Sequence, residues 1–312
     1  MIDELVARAR SGDARAVARL ISLVENASPL LRQVASALMP HVGHAYVVGL
    51  TGSPGVGKST TTAALVAAFR GRDLRVAVLA VDPSSPFSGG ALLGDRVRMQ
   101  DHATDAGVYI RSMGSRGHLG GLSWSTPQAV RVLDAAGCDV VLVETVGVGQ
   151  AEVEVASLAD TTLVLVAPGM GDGIQAAKAG ILEIADIFVV NKADREGADS
   201  TARDLRNMLS LGERAEWQPP IVKTVASRGE GIDDVMAALD RHREWLSASG
   251  RLDAKRRIRA ADEVEAIAVT ALRARMGDVR GGELLDELAG RVVAGQLDPY
   301  AAADELIAGV TS

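Results

Sequence analysis

Cysteine is nearly missing from this chain. Cys138 stands alone, so neither an intramolecular disulfide nor a cysteine cluster for metal is available. It lies between Gly137 and an apolar run at 140–143 and reads as a small buried or half-buried thiol. Aromatic residues are scarce at 3%, so Ala, Val, Leu and Ile must fill any core. No apolar run reaches the length of a membrane span, because Lys, Arg, Asp or Glu interrupts every candidate. Residues 1–10 are charged and lack the apolar centre of a signal peptide. A cytoplasmic chain with no membrane partner is therefore expected. Positive charge is in deficit, 33 basic against 40 acidic residues, for a net charge of −7. That balance argues against nucleic acid as a partner. A polyanionic ligand would need a local device. His41, His44, His102 and His118 are scattered without metal-ligand spacing, and the Ser-x-Gly patterns around 112–125 have no His and acid partners for nucleophilic catalysis.

What is present is organised in three parts. Residues 3–40 carry apolar side chains at three- and four-residue steps, the period of helices, with a break at 26–29 and an end at 40–43. Short β-branched runs then alternate with helical stretches. The runs are 45–50, 76–81, 108–110, 140–143, 161–166, 187–190 and 221–225; the helices are 58–70, 96–103, 127–136, 175–184 and 201–211. Fully apolar strands between helices predict an α/β fold with a mostly parallel central sheet covered on both faces. Beyond Gly231 the strand signals stop, and 233–249, 254–276, 283–295 and 299–307 read as helices. The division expected is 1–42 as an N-terminal helical extension, 43–245 as the sheet domain and 246–312 as a C-terminal helical extension for dimerisation.

The first strand runs into Gly52-Ser53-Pro54-Gly55-Val56-Gly57-Lys58-Ser59, then Thr60 and a helix. This is G-x-x-x-x-G-K-S in the strand–helix context of a P-loop. Its glycines let backbone N–H groups turn towards phosphate oxygens, and the helix N-terminus adds its dipole. Lys58 brings a point charge to the β- and γ-phosphates, and the Ser59 hydroxyl is placed to ligate Mg²⁺.

The run 187–190 leads into Asn191-Lys192-Ala193-Asp194, an N-K-x-D motif at a strand's C-terminal end, where ligands bind in open α/β sheets. The Asp194 carboxylate accepts from guanine N1–H and the 2-amino group. Adenine offers neither donor, and leaving that carboxylate unpaired costs about 3 kcal/mol or more. GTP is therefore expected rather than ATP. Asn191 would hold the loop and the base edge, and the Lys192 stem would lie over the base. Ala226, followed by Ser227 and Arg228, would offer its N–H to guanine O6.

Three acids are candidates for the metal, two at strand ends and one in a glycine-rich segment. Asp82 begins Asp82-Pro83-Ser84-Ser85, Asp95 follows Gly94, and Glu144 begins Glu144-Thr145-Val146-Gly147. Ras-like GTPases have Asp where Glu144 sits. Mg²⁺ needs few carboxylates besides phosphate oxygens and water. The expected set is Ser59 directly, with Asp82, Asp95 and Glu144 direct or through water; each acid also reads as an N-cap or solvated charge. The Gly147 N–H is spaced to sense a γ-phosphate. Gln150 reads either as a water-positioner or as a polar residue in a helix's first turn. Residues 168–173 form a further glycine-dense loop, either a switch or a plain connection.

Together these segments resemble the methylmalonyl-CoA mutase-associated GTPases, described in some lineages as arginine/ornithine transport-linked ATPases or kinases. The likeness covers residues 5–240 well and the helical tail in character. It implies a P-loop NTPase fold, a homodimer, GTP/GDP and Mg²⁺ as ligands, and slow hydrolysis. It further implies a chaperone role for an adenosylcobalamin-dependent acyl-CoA mutase, gating cofactor loading and protecting the mutase. The family assigns a catalysis-coupling switch to a loop whose positions match Asp172, Gln175 and Lys178 here, so Lys178 joins Lys58 and Glu144 as a catalytic candidate. A transport-linked kinase needs ATP, against which N-K-A-D argues. A nickel-insertion GTPase usually shows His-rich tracts or paired cysteines, which this chain lacks.

Overall fold

The computed structural model describes residues 1–26, 28–82, 104–114, 125–145, 151–169, 181–211, 216–276 and 282–311. They form two compact units, Met1–Leu252 and Asp253–Ser312. The first unit holds the sheet: β1 (Tyr46–Thr51), β2 (Val76–Asp82), β3 (Val108–Gly114), β4 (Val140–Thr145), β5 (Thr161–Val166), β6 (Ile187–Asn191) and β7 (Ile221–Thr224). The order is β3-β2-β4-β1-β5-β6-β7, and every neighbouring pair is parallel. Composition explains this. β1 and β4 are buried along their whole length, which suits strands covered on both faces.

Alternation divides the core. In β2, Ala77, Leu79 and Val81 join α1 (Ile2–Arg10), α2 (Ala14–Glu25), α3 (Leu31–Leu38) and α5 (Ser125–Ala135) in one apolar cluster. Val76 and Val78 point the other way and meet α4 (Lys58–Arg70) and α9 (Ile232–Ala248). Val164, Phe188 and Val190 form a third cluster with α8 (Ala198–Leu211). The 3–40 helical periodicity thus becomes three helices that share the core of the first unit. Asp13 caps α2, accepting from the N–H groups of Arg15 and Ala16 at 2.9 and 3.2 Å, and pairs with Arg8 at 2.6 Å. The Arg8 guanidinium holds its carboxyl below the usual range. Two further helices, α6 (Ala151–Leu158) and α7 (Ile181–Ile184), complete the described part of this unit.

Three of the described aromatics, Tyr46, Trp217 and Trp245, gather where the strands begin. Tyr46 opens β1, and its hydroxyl lies 2.5 Å from Thr161 Oγ1 at the start of β5. Thr161 Oγ1 is 2.7 Å from Nδ1 of buried His242, whose Nε2 is 3.4 Å from Asp186. Trp217 and Trp245 flank the imidazole at 4.6 and 5.6 Å between ring centroids.

The second unit begins within α10 (Arg251–Met276) and continues through α11 (Glu283–Val293) and α12 (Pro299–Thr311). Arg291 on α11 pairs with Glu305 on α12 at 2.6 Å, and Leu288 is buried. No helix among the described residues is long and apolar enough to cross a membrane.

Candidate nucleotide site

The site lies at the C-terminal ends of the strands, and the strand order builds it. β1 has β4 on one side and β5 on the other. Its last residues run into the phosphate loop, and Lys58 is the first residue of α4. Two glycines are required by contact. Gly52 has φ 138°, and a Cβ there would lie 2.3 Å from the Leu165 carbonyl oxygen; Gly57 has φ 99°, and its Cβ would lie 2.3 Å from Asn191 Nδ2. Lys58 folds back over the loop, its Nζ donating to the carbonyls of Gly52 at 2.7 Å and Ser53 at 3.1 Å. The loop thus holds its own cation at its centre.

β4 delivers Glu144 to the same place. Glu144 is level with Leu50 of β1 and Ala80 of β2. Its side chain is buried, and both carboxylate oxygens accept from hydroxyls on α4: Ser59 Oγ to Oε1 and Thr62 Oγ1 to Oε2, each at 2.7 Å. Bonds to an ionised acceptor are the strong kind. They offset part of the several kcal/mol that burying a charge typically costs, by about 1.5–3 kcal/mol each.

Asn191 is the hub of the base side. It closes β6 and is buried. Nδ2 donates to the Val56 carbonyl at 2.9 Å, and Oδ1 accepts from Thr224 Oγ1 and the Ala226 N–H, both at 3.1 Å. Lys192 takes the left-handed conformation, φ 58°, and its Nζ donates to the Gly55 carbonyl at 2.6 Å. The N-K-x-D turn therefore grips the phosphate loop at two successive carbonyls. Asp194 is half-exposed and pairs with Arg228 at 3.3 Å, and Arg228 also meets Glu230 at 3.1 Å.

The family profile described as methylmalonyl-CoA mutase-associated GTPase MeaB matches residues 17–279. The chain belongs to that family. A Pyrococcus abyssi protein named as a GTPase is 49% identical over 312 residues, covering 98% of this chain and 96% of its own. The mitochondrial methylmalonic aciduria type A homolog of Mus musculus is 35% identical over 274 residues, covering 82% of this chain and 66% of that one. The crystal structure of a LAO/AO transport system kinase superposes with a TM-score of 0.76 at 30% identity, covering 100% of this chain and 98% of that one. This mutase-associated GTPase family member is accordingly a nucleotide-binding P-loop enzyme that hydrolyses GTP.

Several expected residues of the GTPase do come together: Lys58, Ser59 and Glu144 at the phosphate loop, Asn191, Lys192 and Ala226 beside it. Asp82 closes β2, with Val81 level with Thr145. Asp95, Gly147, Gln150, Asp172, Gln175 and Lys178 lie outside the described residues. Two differences from the sequence reading stand out. The Ala226 N–H, expected to serve guanine O6, already donates to Asn191 Oδ1, so the base would have to share that donor. Arg228, expected at the nucleotide, is engaged by the Asp194 carboxylate. Sequence reasoning missed Thr62 and Thr224. Thr62 had a signal: it stands three residues after Ser59, on the same helix face.

Mg²⁺ fits the donor set. A hydroxyl and a carboxylate meet at the foot of the phosphate loop, and Mg²⁺ takes its remaining ligands from phosphate and water. Among the described residues no group of three or more His, Cys, Asp or Glu side chains could hold a metal, so a caged transition-metal site is not found there.

Proposed function

We propose that this GTPase uses GTP and GDP, with Mg²⁺, as the two states of a chaperone for an adenosylcobalamin-dependent acyl-CoA mutase, methylmalonyl-CoA mutase in particular. The nucleotide part is carried by one observation: Asn191 ties the N-K-x-D turn to the phosphate loop, so one side chain joins the proposed base-reading and phosphate-binding elements. The client part rests on family membership. In this reading residues 43–245 do the nucleotide chemistry, 1–42 is an N-terminal helical extension that shares the core of the same unit, and 246–312 is the C-terminal helical extension for dimerisation. The protein acts as a homodimer in the cytoplasm.

The reaction is in-line attack of water on the γ-phosphate, giving GDP and phosphate. Lys58 and the loop amides from Gly52, Ser53, Pro54, Gly55, Val56 and Gly57 through Ser59 and Thr60 surround the phosphates, proline contributing shape rather than a donor. Lys58 leaves the Gly52 and Ser53 carbonyls for phosphate oxygens as nucleotide enters. Mg²⁺, when bound, neutralises charge on the β- and γ-phosphates. Ser59 would hold it directly, with Glu144, Asp82 and Asp95 direct or through water. Asp194 reads guanine once Arg228 yields to the base. Gly147, Gln150 and the loop of Asp172, Gln175 and Lys178 are assigned to sensing and coupling, with Ser227 beside the base.

Transport-linked kinase activity is the second reading, because the superposed structure is that of a LAO/AO transport system kinase. It requires ATP. A competition titration of GTP against ATP separates the two, and a preference for ATP removes the first. For the client, the test is capture from native cell extract with the chain loaded with a non-hydrolysable GTP analogue. Recovery of a B12-dependent mutase that accelerates GTP turnover supports the role; a mutase that leaves turnover unchanged ends it.

A further inference from the structure

We propose that Thr62 is a positioning residue for the metal side of this site, fixing the Glu144 carboxylate so that Ser59 and Glu144 present a preformed pair of oxygen donors to Mg²⁺. The inference deepens the Mg²⁺ reading above and rests on it. Thr62 is fully buried, and its Oγ1 lies 2.7 Å from Glu144 Oε2 and 3.0 Å from the Lys58 carbonyl. A hydroxyl has one proton, and an ionised oxygen takes it in preference to a neutral carbonyl.

The rest of the hydroxyl run does other work. Thr61 donates back to the Gly57 carbonyl at 3.0 Å, and Thr60 is exposed. Ser59 and Thr62, three residues apart on α4, reach the two oxygens of one carboxylate. The geometry decides what each bond is for. Ser59 donates its proton to Oε1 and keeps its lone pairs, which is the state in which a hydroxyl can ligate a cation. Its bond to Glu144 therefore belongs to the ligand set itself. The bond from Thr62 is made on the other oxygen and carries no ligand. It fixes the terminal torsion of the side chain, which is intrinsically broad in Glu. Glu has one rotatable bond more than Asp, so a strand-end Glu needs this second anchor to hold its carboxylate still. Partners that orient metal ligands typically change metal affinity by about 10–100-fold when removed.

The test uses the full chain loaded with a fluorescent GDP, N-methylanthraniloyl-GDP, whose release is followed in EDTA and across buffered Mg²⁺. Thr62→Val removes the donor and keeps the shape. The Mg²⁺ needed for half-maximal slowing of release should rise about tenfold. Release in EDTA should stay at the wild-type rate, and Thr62→Ser should restore the wild-type Mg²⁺ midpoint. An unchanged midpoint in T62V overturns the inference, as does a midpoint shift matched by an equal change in EDTA, which would mark a merely structural role. Failure of T62S to restore overturns it too. If T62V does not fold, Thr62→Cys makes the same comparison, because a thiol is a weak donor. A wild type indifferent to Mg²⁺ removes the Mg²⁺ reading and the inference together; a Mg²⁺-sensitive wild type matched by T62V removes the inference alone.

Discussion

Asn191 Nδ2 donates to the Val56 carbonyl across 2.9 Å, so the residue that closes β6 also holds the loop between β1 and α4. The same side chain accepts from Thr224 and from the Ala226 N–H. Asn191→Ala would leave three buried polar groups without this partner. An unsatisfied buried group typically costs about 1–3 kcal/mol. The urea midpoint of the nucleotide-free chain should fall, and GDP affinity should drop by about tenfold or more in a calorimetric titration. Affinity equal to wild type would mean that the two loops are held in place independently.

Asp194 is the residue proposed to set the base. Asp194→Asn keeps the shape and replaces one acceptor oxygen with an amide donor. Guanine then meets donor against donor, whereas xanthine offers a carbonyl in place of the 2-amino group. GTP affinity should fall by at least about 100-fold and xanthosine triphosphate should bind better than to wild type. Competition against labelled GDP measures both. A variant that still prefers guanine would place base recognition elsewhere.

These loops were legible in the sequence because each motif needs its residue types at fixed spacing beside a strand end. The strands themselves were legible where they are wholly apolar, as in β5, expected and found at Thr161–Val166. β3 was expected to stop at 110 and continues to Gly114. It is an edge strand, and Arg111 in its middle pairs with Glu25 of α2, a partner 86 positions away that no local pattern reveals. Helix α6 was missed as an element. Its start, Ala151-Glu152-Val153-Glu154-Val155, alternates with the period of a strand. Thr62 was passed over because a threonine inside a helix reads as a residue bonded back to its own turn, and the Lys58 carbonyl does lie 3.0 Å from its Oγ1, behind the shorter contact to Glu144.

Cys138 is buried, and burial pushes its thiol up to about 11 from an ordinary value of 9.0. In the native chain it should react slowly with a disulfide reagent at pH 8 and rapidly once unfolded. The sign of the pH effect follows from the raised value. The contribution is fully present below pH 9, where the thiol is neutral in both states, and is lost as pH rises through 11. Over that window stability should fall by roughly 2–3 kcal/mol on this account. Cys138→Ala should flatten that part of the urea-midpoint profile. A profile unchanged by the substitution would assign the alkaline loss to other groups.

The buried chain of Tyr46, Thr161 and His242 lies at the strand ends remote from the phosphate loop. β1 separates Tyr46 from Gly52 by a full strand, about 20 Å at roughly 3.3 Å per residue. Thr161→Val removes the shared hydroxyl, so the imidazole Nδ1 loses this contact and the Tyr46 phenol falls back on its longer bond to the Leu239 carbonyl at 3.4 Å. A loss of about 1–3 kcal/mol in unfolding free energy is expected. GDP affinity should not change, because Asn191 and the phosphate loop keep every contact they have. A coupled loss of affinity would show that the two ends of the sheet communicate.

Helix α10 bears on the homodimer proposed here. Ile258, Val264, Ile267, Val269 and Leu272 are each between 39 and 67% exposed on it. At about 100° per residue, five such positions sweep more than half of the helix circumference. Arg257 and Glu265 share that arc with Ala260, Ala261 and Ala268, so the face mixes apolar and charged groups, and an exposed apolar patch of this sort marks an interaction surface. A second copy of the chain supplies the matching surface without any further partner. The full chain should therefore sediment as a dimer. Ile258→Asp combined with Leu272→Asp should shift it to the monomer mass while GDP binding by the first unit persists. A wild-type chain that sediments as a monomer at micromolar concentration would count against the dimer and leave α10 to be covered by the client instead.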